Sequence, residues 1–64
     1  MRYPYLGVKT VDDKQVTVLF TERDKGVVVS SETGDDEYRF GKYGDFAEDE
    51  YDFMPQNMCV RLNN

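Results

Sequence analysis

Three short stretches in the first half of the chain alternate apolar and polar residues with a period of two, the signature of β-strands with one face turned inward. The clearest runs from Gln15 to Thr21: Val16, Val18 and Phe20 share one face, while Gln15, Thr17 and Thr21 share the other with Leu19. Before it, Tyr5 to Thr10 carries Leu6 and Val8 on one face. After it, Gly26 to Ser31 sets Val27 and Val29 opposite Val28. The connections fit hairpins. Asp12-Asp13-Lys14 makes a tight turn, and Glu22 to Lys25 forms a four-residue loop followed by Gly26, a residue suited to positive φ.

Two further strands are expected. Glu37 to Tyr43 sets Tyr38 and Phe40 against Arg39 and Tyr43, with Thr33-Gly34-Asp35 as the preceding turn. Met58 to Leu62 alternates Met58, Val60 and Leu62 with Cys59 and Arg61. Between them, Asp45-Phe46-Ala47-Glu48 reads as a helix start with acids in its first turn, and Pro55 ends any helix. Gly41 and Gly44 mark a bulge and a turn and not a phosphate loop, since their spacing is wrong and the local charge is negative. The fold class expected is mostly β: a small five-stranded barrel over residues 1–64, with one short helical or 3-10 turn before the last strand. Closure removes the exposed edges that so short a sheet cannot otherwise hide.

A chain of 64 residues holds one core. Such a core supplies only about 3–5 kcal/mol, so small domains usually add a staple. Here the single cysteine, Cys59, excludes an internal disulfide, and with no histidine there is no ligand set for structural zinc. Five tyrosines and four phenylalanines point instead to an aromatic core. Cys59 reads as a small packed hydrophobe in a reducing compartment. No apolar leader follows Met1, and no apolar run approaches the ~20 residues of a membrane span. The expectation is a complete cytoplasmic protein.

The stretch Phe53-Met54-Pro55-Gln56-Asn57-Met58-Cys59-Val60 resembles the end of SH3 domains, where an apolar-Pro-x-Asn-aromatic sequence leads through a 3-10 turn into the last strand. The resemblance implies an SH3-like barrel. It does not imply recognition of PxxP peptides: Met58 stands where the family has a ligand-binding tyrosine, and the chain has no tryptophan. In size, composition and lack of a catalytic set the chain also resembles the short acidic accessory proteins of tailed bacteriophages. That likeness implies action in a host cytoplasm, as an inhibitor or modulator of a host protein or as the trigger sensed by a host defence protein.

Net charge is −5, and it is concentrated. Residues 32–52 carry nine acids against Arg39 and Lys42. This segment repels nucleic-acid phosphates and attracts a basic protein surface. It also holds six rings: Tyr38, Phe40, Tyr43, Phe46, Tyr51 and Phe53. Six exceed what one strand face and a turn can bury, so some are expected in water as interface anchors. Tyr43 and Tyr51 come first, then Phe46, with Asp45, Glu48, Asp49, Glu50 and Asp52 steering the partner. Tyr3 and Tyr5, flanking Pro4, form a second candidate edge.

Catalysis is not expected. The usual proton shuttle is missing, and so small a barrel has little room for a pocket. The acids lack the spacing of a calcium loop, so neither a metal nor another cofactor is expected. The function expected is a non-enzymatic protein-binding module for a partner with a basic surface, with no direct nucleic-acid or membrane contact. One alternative is an acidic DNA mimic that blocks a nucleic-acid-binding enzyme. Another is a structural subunit that oligomerises through strand edges.

Overall fold

The structure is a computed structural model and describes residues 3–54. Five antiparallel strands form one sheet: β1 (Tyr5–Val11), β2 (Lys14–Glu22), β3 (Lys25–Ser31), β4 (Tyr43–Asp45) and β5 (Asp52–Met54). Their order is β4-β3-β2-β1-β5. The three alternating stretches thus become the three long central strands. The turn at Asp12-Asp13 places both residues at positive φ (51° and 66°), the geometry of a two-residue hairpin whose twist matches its strands. In the second hairpin the left-handed residue is Asp24 (φ 54°) and not the glycine. Gly26 instead lies inside β3, where a Cβ would sit 2.4 Å from the Leu19 carbonyl oxygen. Its role is close backbone approach.

The sheet is open. β4 and β5 are its two edges, so the expected barrel does not close among the described residues. The expected strand over residues 37–43 accounts for the difference. Asp36–Tyr38 forms a 3-10 turn, and the Lys42 N–H closes a further turn on the Arg39 carbonyl around Gly41. The strand that pairs with β3 is shortened to Tyr43–Asp45, while Gly41 and Lys42 before it exchange backbone hydrogen bonds with Val28. Three successive acids have low strand propensity, and tertiary contacts decide the rest. A second 3-10 turn, Glu48–Glu50, follows with Ala47 at its N-cap and no side-chain cap, then leads into β5. The expected strand Met58–Leu62, Cys59 and most of the SH3-like stretch lie outside the described residues.

One face of the sheet carries the core: Tyr5, Val16, Val18, Phe20 and Val28, closed over by Phe46. The acid-rich segment crosses this face, and Phe46, Tyr38 and Tyr51 hang from it as the roof. Phe20 stacks on Tyr5 at 5.3 Å and meets Tyr51 edge-on at 5.2 Å. Gly7 makes room for that meeting. A Cβ there would fall 2.8 Å from the Phe20 ring and 3.0 Å from Tyr51 Cβ.

Candidate functional site

The rings divide by direction. Phe46 (8% exposed) is core, and Tyr51 is half-buried beside it, so neither stands out as the surface anchor expected of it. Tyr38 also faces inward. Phe40, Tyr43 and Phe53 are the surplus left in water, at 73%, 55% and 56% exposure. They do not share one strand: Phe40 lies in the turn before β4, Tyr43 on β4, and Phe53 on β5 at the opposite sheet edge. Tyr5 is core, and Tyr3 lies against it with ring centroids 5.6 Å apart.

The acids divide too. Asp49 and Asp52 are exposed. Asp45 forms a 2.7 Å ion pair with Lys25, and that bond raises the lysine's pKa. Glu48 is half-buried and structural. It accepts hydrogen bonds from the Tyr3 hydroxyl (2.8 Å), the Tyr5 hydroxyl and the Asp24 N–H (2.6 Å), while its own N–H donates to Asp24 Oδ1 (3.0 Å). The Tyr5 bond, then the Asp24 N–H, hold its carboxyl below the usual carboxylate value. In turn, burial and then this carboxylate push the Tyr5 and Tyr3 phenols up.

Between the roof and β1 lies a cleft of about 360 Å³. Tyr38, Phe46 and Tyr51 line its apolar side and Glu37 and Glu50 its acidic side, and Asp45 borders it with its carboxylate paired to Lys25. Lys9 and Lys42 reach it as well. The Lys9 ammonium donates to Glu50 Oε1 (2.7 Å) and to the Tyr38 hydroxyl (3.2 Å). It lies 5.5 Å from the Tyr38 ring centroid and 5.7 Å from that of Tyr51, within reach of both π faces. Those two hydrogen bonds hold it firmly protonated. The Tyr51 hydroxyl is buried without a partner among the described residues, and burial, then the neighbouring Tyr38, push its pKa up to about 12.

Chemically, this arrangement accommodates a cation: two tyrosine faces and a carboxylate hold an ammonium group, with further carboxylates on the rim. Of the expected site residues the structure brings Asp45, Phe46, Glu50 and Tyr51 to this cleft and leaves Tyr43, Glu48, Asp49 and Asp52 outside its lining. Lys9, Glu37 and Lys42 are not singled out in the sequence as site residues, and Tyr38 counts there among the six rings but not as an anchor. Lys9 had a signal. It falls in the inward phase of β1, after Tyr5 and Gly7 and before Val11, where a charge needs a partner. No protein-family model matches the chain, and comparisons with curated proteins and with solved structures give no match either.

Proposed function

We propose that this domain is a protein-binding module whose acidic, ring-lined layer receives a partner with a basic surface. The observation that carries the reading is Lys9. Its ammonium group rests on Tyr38 and Tyr51 and pairs with Glu50, so the cleft already holds the kind of side chain a basic partner would bring. Glu37 on the rim, and Asp49 next to Glu50 in the chain, are exposed to meet further Lys or Arg side chains. Such rim charges act mainly on encounter rate and orientation.

The test is NMR titration of the isotope-labelled domain with a Lys/Arg-rich peptide at low salt. Shifts centred on Lys9, Tyr38 and Tyr51 support the reading, as does their loss in the Glu37→Lys, Asp49→Lys double variant with thermal unfolding no lower than that of wild type. Neither substitution removes a hydrogen bond seen in the structure. Tyr51 and Glu48 are unsuitable for this purpose, because changing either disturbs the core or its staple. A titration that leaves the cleft resonances unmoved at low salt overturns the reading.

A further inference from the structure

The sheet has a second face, and its composition is unlike the rest of the molecule. Register places Met54, Leu6, Leu19, Val27 and Tyr43 side by side in one row across all five strands. This row points away from the core, because the core residues Tyr5, Val18, Phe20 and Val28 occupy the alternate positions of the same strands. The next row carries Val8, Thr17 and Ser30. On the three central strands the outward positions Leu6, Val8, Thr10, Gln15, Thr17, Leu19, Val27 and Ser30 bear no charge. Charges on this side gather at the β2–β3 hairpin end, as Glu22 and the Lys25–Asp45 pair, where the Tyr43 hydroxyl donates to Glu22 Oε2 (3.4 Å), and at the β5 edge, as Asp52. Leu6, Leu19, Val27 and Met54 are only half-buried among the described residues, and Tyr43 is exposed. A continuous, uncharged, apolar band of this kind marks an interaction surface.

We infer that this face is the interface with a second copy of the same chain, closing a two-layer sandwich. Two observations select that occupant. The first is symmetry. Leu19 lies on β2, the middle strand of five, and the row reads outward from it as Leu6 then Met54 on one side and Val27 then Tyr43 on the other. A two-fold axis in the plane of the interface, along β2, sets Leu19 against its own copy. It sets Leu6 against Val27, and Met54 against Tyr43, a thioether on an aromatic ring. Strands then run nearly aligned between layers, the common geometry of packed sheets.

The second is charge. Each copy carries −5, which opposes association unless the acids are kept apart. Glu48 and Glu50 of the acid-rich segment lie over the opposite face, as the Glu48–Tyr5 and Glu50–Lys9 bonds show, and only Asp45 and Asp52 of its strand residues stand at the margins of this one. Sheets in a sandwich lie about 10 Å apart, so the two acidic roofs, one layer further out on each side, stand roughly 30 Å apart. Screening at physiological salt acts over about 8 Å, which removes most of that repulsion. A basic partner, by contrast, gains nothing at an uncharged face and loses hydration there.

Analytical ultracentrifugation of the full chain from micromolar to millimolar concentration tests this. The expected result is a monomer–dimer equilibrium, weakened about tenfold or more by Leu19→Thr or Val27→Thr, which place a strand-compatible β-branched side chain at the position, and unaffected by Asp49→Lys in the acidic layer. Isotope-filtered NMR on mixed labelled and unlabelled wild type needs no substitution. It should show contacts between copies for Leu19 with Leu19 and Leu6 with Val27. A protein that stays monomeric throughout overturns the inference. A monomer that Leu19→Thr destabilises like a core substitution overturns it too, since the face is then covered by its own chain. So does a dimer indifferent to both substitutions.

Discussion

Glu48 sits between acids that face water, yet its carboxylate gathers two tyrosine hydroxyls and a backbone N–H. It ties the acidic roof to the start of β1 and to the β2–β3 turn. Composition hides this role: in the sequence it is one more acid in Glu48-Asp49-Glu50, and only the fold distinguishes it. Linkage gives the sign of the pH effect. A carboxyl held below its ordinary value of 4.5 stabilises the fold at pH above that value, and the stabilisation is lost as pH falls through the depressed folded value. The raised Tyr5 phenol acts in the other direction. Its contribution is complete below the ordinary phenol value of 10 and is lost as pH rises towards the folded value. In Glu48→Gln the charge-assisted bonds are gone. The variant should melt below wild type across the neutral plateau, and the gap should close as pH falls below 4.5. Melting curves by circular dichroism across that range check it; a gap that persists unchanged in acid contradicts the assignment.

The central strands were legible because each alternates over at least six residues and is bounded by turn chemistry. β4 and β5 were not, since three residues carry no periodic signal and their pairing is imposed by what they cross. Ring direction was half legible. Counting rings against interior volume foretold that some of the six stay outside, and Phe40, Tyr43 and Phe53 do. Which ones depends on the path of the roof over Phe20 and Tyr5, and that path is tertiary. The first hairpin is the element most open to improvement. Asp12 and Asp13 both hold left-handed φ, a conformation that costs an ordinary residue and suits Asn-Gly. Asp12→Asn with Asp13→Gly should stabilise the domain by about 0.5–1 kcal/mol, beyond removing two like charges from adjacent positions. Urea unfolding measures this through a raised midpoint at unchanged slope.

At the scale of the molecule, the acids are segregated onto one layer, and that separates two effects of salt. Residues 32–52 hold nine acids and two basic residues, and the sheet offers Lys9 and Lys25 in compensation. Both pairs are partly or largely exposed, and pairs of that kind contribute little to stability because water and salt screen them. The unpaired excess repels itself over about 30 Å at 0.01 M salt but only about 8 Å at 0.15 M. Repulsion among many acids therefore outweighs the weakening of two pairs, and sodium chloride should raise the melting temperature of the free domain between those concentrations. Chloride is the suitable anion, because sulfate strengthens apolar burial by itself. Complex formation with a basic peptide must respond in the opposite sense, since the same screening removes its attraction. Opposite slopes, stability rising and affinity falling over one salt series, are the expected pair. A melting temperature that falls with added chloride would mean that the exposed ion pairs, and not the crowded carboxylates, govern this layer.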